Sequence, residues 1–163
     1  AAGDIDGDGK DEIIAGAGNG GGPQVRIFNG QGSLQGQFFA YDKAFRGGVR
    51  VSTAGFGRAT NGHKASIVTA PGSGGGPHIR IWNGKAEMLG QFFAYDQAFH
   101  GGVQIAAGDI DNDGVDEIVT GAGPGGAPHV RAFEANGELL ESFYAWDEAE
   151  SGGVNIGILT VRN

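Results

Sequence analysis

An octapeptide written three times governs what this chain can become. Gly-Gly-Pro-Gln-Val-Arg-Ile-Phe, Gly21 to Phe28, returns as Gly75 to Trp82 and, with Ala127 for the second glycine, as Gly126 to Phe133. Two more motifs keep step with it. Phe38-Phe-Ala-Tyr-Asp42 recurs at Phe92 to Asp96 and as Phe143-Tyr-Ala-Trp-Asp147, and Gly47-Gly-Val49 recurs at Gly101 to Val103 and Gly152 to Val154. The octapeptide's offsets are 54 and then 51 residues, so three units of about 53 fill the 163 positions. A repeat of this length is one supersecondary unit that buries its apolar side against its neighbours, which predicts a row of units in place of a single-centred core.

Within a unit the alternation predicts four short strands. The first follows Gly-Gly (49–54, 103–107, 154–161), and the second spans 12–15, 66–69 and 117–120. The third spans 24–28, 78–82 and 129–133, and the fourth runs into the aromatic motif (35–41, 89–95, 140–146). Turns are expected at Asn29-Gly30, Asn83-Gly84 and Asn136-Gly137. Four strands in about 50 residues, repeated with one aromatic motif per unit, predict an all-β fold of β-propeller blades. The expected division is a first blade over 1–48 lacking its first strand, a second over 49–102 and a third over 103–153. Residues 154–163 would close the ring or begin a next blade.

Composition agrees. Glycine supplies 34 residues, yet no three-residue period exists and apolar residues are plentiful, so the chain is neither collagen nor linker. The net charge of −8, with no basic cluster, argues against nucleic acid as a partner. The absence of cysteine excludes disulfides and thiolate metal sites. No leader and no long apolar run is present, which predicts no membrane insertion.

The acidic residues are not spread evenly. Ten of the 19 lie in Asp4-Ile-Asp-Gly-Asp-Gly-Lys-Asp-Glu12 and Asp109-Ile-Asp-Asn-Asp-Gly-Val-Asp-Glu117. Five carboxylates in nine residues repel one another, so the pair of loops calls for a cation. A sulfur-free, oxygen-rich set selects a hard one, Ca²⁺ ahead of Mg²⁺. Side-chain oxygens fall at positions 1, 3 and 5 (Asp4, Asp6, Asp8; Asp109, Asp111, Asp113), with glycine at position 6 for the sharp turn. Position 7 (Lys10, Val115) would offer its carbonyl, and the closing acid is at position 9 (Glu12, Glu117). An EF-hand needs its glutamate at position 12 and flanking helices; Ala15 and Thr120 stand at position 12, and the residues on the C-terminal side of each loop are β-branched and glycine-rich. Gly7 and Asn112, at position 4, are residue types that tolerate positive φ. A solvated acidic turn is the plain alternative, which the repeated spacing disfavours.

Gly-Asp-Ile-Asp-Gly-Asp-Gly followed by Asp-Glu-Ile-Ile and a Gly-Ala-Gly turn resembles the FG-GAP (VCBS-type) repeat of the integrin α-subunit propeller and of large bacterial surface proteins. The resemblance runs over all three units and is most specific in the first and third. It implies Ca²⁺ held by Asp4, Asp6, Asp8, the Lys10 carbonyl and Glu12, and by Asp109, Asp111, Asp113, the Val115 carbonyl and Glu117. The loops would lie between a blade's first and second strands and stiffen one rim. In the middle unit the corresponding stretch, 56–66, holds no acidic side chain. It predicts a metal-free loop in which His63 and Lys64 are surface residues.

Other motifs carry plainer readings. Gly16-Ala-Gly-Asn-Gly-Gly21 and Gly121-Ala-Gly-Pro-Gly-Gly126 satisfy a dinucleotide-binding spacing, but a proline and another strand come next where a helix is needed. Arg26, Arg80 and Arg131 are expected to pair with Asp42, Asp96 and Asp147, with an anion-binding arginine ring as the counter-reading. His78 and His129 read as strand-start surface residues ahead of metal ligands. The aromatic motifs read as packing between blades, with sugar stacking the alternative for exposed members. No nucleophile elbow, zinc-protease motif or cysteine nucleophile is present, and no catalysis is predicted. The sequence thus predicts a calcium-binding propeller module of an extracellular or cell-surface protein, acting in adhesion, protein interaction or assembly. The three blades would be an excerpt of a larger propeller, a half ring that pairs as a six-bladed two-fold dimer, or a unit that stacks head to tail into a fibre. A carbohydrate-binding propeller, or the non-catalytic part of a polysaccharide-degrading enzyme, is the alternative.

Overall fold

A computed structural model describes residues 1–57 and 64–159, so the expectations for His63 and for most of the middle loop lie outside the described residues. The architecture is all-β. Three four-stranded antiparallel sheets follow one another, each in simple chain order. The first holds β1 (Ala2–Gly3), β2 (Glu12–Gly16), β3 (Gln24–Phe28) and β4 (Leu34–Phe39). The second holds β5 (Val49–Ala54), β6 (Ser66–Pro71), β7 (His78–Trp82) and β8 (Met88–Phe93). The third holds β9 (Val103–Gly108), β10 (Glu117–Ala122), β11 (His129–Phe133) and β12 (Leu139–Tyr144).

Both ends correct the expectation. The first blade has a first strand after all, two residues long, with Ala2 opposite Ile13 and Gly3 opposite Glu12. Residues 154–159, predicted as strand, join no ladder among the described residues. They run beside the third blade: the Val154 N–H donates to the Ala122 carbonyl at 2.9 Å, just as Val49 donates to Ala17 at 2.8 Å. That is the lane a following blade's first strand would take.

The fourth strands stop two residues earlier than the pattern suggests, at Phe39, Phe93 and Tyr144. The N–H groups of Ala40, Ala94 and Ala145 then donate to the carbonyls of the buried Pro23, Pro77 and Pro128 at 2.9 Å. The chain bends there, and the next aromatic residue leaves its own sheet.

The hairpins between third and fourth strands also differ in detail. Asn29 N–H donates to the Ser33 carbonyl and Gly32 N–H to the Asn29 carbonyl, so the loop has three residues and a bulge, and the left-handed residue is its last. Gly32 (φ 79) and Gly137 (φ 85) fill that position in the first and third blades; Ala86 (φ 62) fills it in the second. The Asn29 and Asn83 side chains serve to hold the loop, each Oδ1 accepting two backbone N–H groups. A left-handed alanine costs about 1–2 kcal/mol, partly offset by the greater unfolded-state freedom of glycine. Ala86→Gly is therefore expected to stabilise the fold by about 0.5–1 kcal/mol in urea unfolding. A loss of stability would refute this account of the turn.

Burial explains why repeats with one sequence pattern behave differently. One apolar cluster joins Ile5, Ile14, Val25 and Ile27 of the first blade to Val49, Ile67 and Trp82 of the second. Another joins Val68, Ile79 and Ile81 of the second to Val103, Ile118 and Phe133 of the third. Each core thus lies between blades. Strand β6, covered on both sides, is buried throughout, whereas β2 alternates and β12 is exposed along its length.

Candidate metal loops and blade junctions

The two acidic loops are wound by their own carboxylates. Asp4 Oδ1 accepts the N–H of Gly7 (2.6 Å) and Asp8 (3.2 Å), and its Oδ2 accepts that of Gly9 (2.9 Å). Asp6 Oδ1 accepts the Asp8 N–H, and Asp8 Oδ1 the Lys10 N–H. In the third blade Asp109 accepts Asp113 and Gly114, Asp111 accepts Asp113, and Asp113 accepts Val115. The chain turns back through positive φ at Gly7 and Gly9, and at Asn112 and Gly114, as the pattern requires.

These turns bring the side chains together. Carboxylate oxygens of Asp4, Asp6 and Asp8 lie within 4.8 Å of one another, as do those of Asp109, Asp111 and Glu117. Glu12 and Glu117, the closing acids, start β2 and β10 and are buried. Each accepts the N–H of the isoleucine after the loop's first aspartate, Glu12 from Ile5 at 3.2 Å and Glu117 from Ile110 at 2.8 Å. Burial pushes the Glu117 carboxyl above its usual range, the Ile110 N–H opposes this, and the charges of Asp111, Glu134 and Asp109 add to it. Lys10 and Val115 stand where the pattern puts them, and the Lys10 ammonium reaches Asp8 only as an exposed pair at 3.9 Å. An all-oxygen set, partly buried and mutually repelling, has the chemistry of a seat for a hard divalent cation.

The arginines depart from expectation. No pair between Arg26, Arg80 or Arg131 and Asp42, Asp96 or Asp147 forms among the described residues. The aspartates instead cap the turns that follow them, accepting the N–H groups of Ala44, Ala98 and Ala149. Arg80 and Arg131 reach into the preceding blade: each donates to an alanine carbonyl of the aromatic motif, Ala40 at 2.7 Å and Ala94 at 2.9 Å. Each guanidinium also lies over the neighbouring tyrosine, 4.9 Å from the Tyr41 ring and 5.2 Å from that of Tyr95. Spacing within one unit could not show a partner that belongs to another.

Sequence reasoning also missed the hydroxyl junction beside it. Tyr41 donates to the His78 carbonyl at 2.7 Å and meets the Thr69 hydroxyl at 3.2 Å; Tyr95 donates to the His129 carbonyl at 2.8 Å and accepts from Thr120 at 3.1 Å. A threonine at the fourth position of the second strand in two units was the available signal. Asp116, inside the third blade's acidic loop, ties blades as well: its Oδ2 accepts the Gly55 N–H at 2.7 Å. His78 and His129 stack on Phe93 and Tyr144 at 4.6 and 4.5 Å, and His129 bonds Ser142; neither belongs to an acidic triad. Burial and then the adjacent arginine lower both histidines.

Burial pushes the Tyr95 phenol up to about 12, with Thr120 and Arg131 opposing, and raises Tyr41 likewise. The folded state thus favours the neutral phenol, whose unfolded value is about 10. The stability it contributes is whole below pH 10 and is lost as pH rises toward 12. Melting temperature should fall steeply over that window and less steeply in a Tyr41→Phe, Tyr95→Phe protein. Equal slopes would refute the assignment.

Three consecutive four-stranded antiparallel sheets, packed face to face with acidic loops between first and second strands, define a β-propeller type of module. The FG-GAP repeat matches residues 1–34 and 101–136, which are the two units with acidic loops. The chain therefore matches the FG-GAP repeat in its first and third units. A comparison with curated proteins found no match.

Proposed function

We propose that this chain is a calcium-binding propeller module of an extracellular or cell-surface protein, acting in adhesion, protein interaction or assembly. The observation that carries the metal reading is the gathering, within 4.8 Å of one another, of carboxylate oxygens from Asp4, Asp6 and Asp8 in one loop and from Asp109, Asp111 and Glu117 in the other. Ca²⁺ would be held by Asp4, Asp6, Asp8, Lys10 and Glu12, and by Asp109, Asp111, Asp113, Val115 and Glu117. It would neutralise the clustered charge and lock the rim between blades, since Ile5, inside the first loop, belongs to the core shared with the second blade. The setting outside the cell rests on the FG-GAP repeats, which are typical of extracellular and surface proteins. Among the described residues no helix is long and apolar enough to cross a membrane.

Calorimetric titration with Ca²⁺ should return two sites and, for Asp111→Ala, one. Zero sites sinks the metal reading, and three equivalent sites sinks the metal-free middle loop. Sugar binding is the second reading, favoured by Phe39, Phe93 and Tyr144, exposed at one matching position in the three blades. A glycan array without a hit removes it.

A further inference from the structure

We infer that the two acidic loops are coupled through the middle blade, so that Ca²⁺ bound in one raises the affinity of the other, with Asp116 as the positioning residue that carries the link. The inference names the regulation of the calcium sites proposed above and rests on that reading.

Asp116 is the acid that the ligand set leaves over. Of the five in its loop, Asp109, Asp111 and Asp113 accept N–H groups within the loop, and Glu117 accepts that of Ile110. Asp116 turns instead to the preceding blade. Its Oδ2 accepts the Gly55 N–H at 2.7 Å and its own N–H donates to the Gly55 carbonyl at 3.0 Å, so one residue holds both backbone polar groups of the other. On either side of it in sequence stand Val115 and Glu117, which the metal reading uses for their carbonyl and carboxylate. Fixing Asp116 therefore fixes two ligands.

The first loop meets the same blade one strand away. The Ala65 N–H donates to the Asp4 carbonyl at 2.7 Å, and the Thr53 hydroxyl donates to that of Ala2 at 2.6 Å. The Lys64 side chain lies across the loop, where a Cβ on Gly7 would come 2.9 Å from its Cε. Ile5, next to Asp4, shares an apolar cluster with Ala65 and Ile67.

These contacts converge on one rung. Ala54, the last residue of β5, pairs with Ser66, the first of β6, and both are buried. Gly55 and Ala65 are the next residues on those two strands, half-buried and outside the ladder. The third blade's loop thus holds one strand end and the first blade's loop the other. The path between them runs across the rung, not along the connection between the strands.

The charge of the loops turns this arrangement into a coupling. With no cation to offset them, the gathered carboxylates oppose the wound form of each loop, and a loop that unwinds releases the strand end it holds. Ordering a strand end costs conformational freedom. Asp4 held at its carboxylate fixes its own carbonyl, hence Ala65 and, across the rung, Gly55. Asp116 then meets a partner already in place. The second loop to fill faces a smaller ordering cost than the first, which is positive coupling with no new contact. Linkage makes the effect reciprocal.

Calorimetric titration of the whole chain tests this. Asp8→Ala disables the first loop and leaves the Asp4 carbonyl in the chain. The Ca²⁺ dissociation constant of the third blade's loop should then rise about fivefold or more, the lower end of couplings between sites. In Asp116→Ala that loop should bind more weakly and no longer respond to Asp8→Ala. Asp116→Asn, which keeps an oxygen for the Gly55 N–H, should retain most of the response, a rescue that a purely electrostatic role would not give. Amide exchange is the second readout: with the third blade's loop disabled by Asp111→Ala, Ca²⁺ should still slow exchange at Gly55, whose hydrogen bonds go to that loop. Two sites indifferent to each other's loss, or a response that survives Asp116→Ala, would overturn the coupling and leave the metal reading intact. A chain that binds no Ca²⁺ at all removes both.

Discussion

Gly102→Ala should destabilise the fold by about 2–6 kcal/mol, far more than the same change at Gly125, which should cost about 1 kcal/mol. Both glycines have positive φ, 76° and 87°, so the backbone penalty is shared. What differs is the room. A Cβ on Gly125 meets nothing within 4 Å, whereas one on Gly102 lies 2.5 Å from the Gly72 carbonyl carbon and 2.6 Å from its oxygen. That neighbour is the backbone of the preceding blade and cannot rotate aside. Gly48 and Gly153 repeat the arrangement against Gly18 and Gly123. The Gly-Gly-Val motif is therefore the point of closest approach between blades, and hydrogen bonds such as Val49 N–H to the Ala17 carbonyl at 2.8 Å are made across it. Urea unfolding of the two variants measures the difference directly. Equal losses would show that left-handed backbone, and not the approach of the blades, demands glycine at this place.

Calcium at about 100 times its dissociation constant should add about 2.7 kcal/mol per site, provided the unfolded chain binds none. For a domain of this size that raises the melting temperature by roughly 5–11 °C per site. The reason lies in the loops themselves: Glu117 is buried beside Asp109 and Asp111, and its carboxyl is raised by burial first and then by their charges. The attraction of a divalent ion for each carboxylate would offset that repulsion. Chelation by EDTA should undo the gain, and Asp4→Ala should remove about half of it. A melting curve indifferent to Ca²⁺ and to EDTA would refute the cation as the reason for the loops.

Much of the fold was legible because its signals are local and repeated. The third strands matched to the residue, since glycine and proline bound them on one side and a turn on the other. The acidic loops were legible for the same reason, each turn being made by side chains and N–H groups two to five residues apart. The fourth strands were drawn too long because the aromatic run continues unbroken in sequence while its tyrosine serves a different sheet. The turns fall at the Asn-Gly pairs, but which loop residue is left-handed, Gly32 in the first blade, follows from the bulge at Phe28. Arg80 was paired with the wrong residue because its partners, Ala40 and Tyr41, belong to the preceding unit.

By itself the sequence determined the repeat, the strand pattern and the composition of both acidic loops, since periodicity and spacing are properties of neighbouring residues. Only the tertiary structure decided that each core lies between blades and that Tyr41 and Tyr95 cross to the next sheet. Those facts depend on which unit stands beside which, and three near-identical repeats do not say which of their faces will be covered.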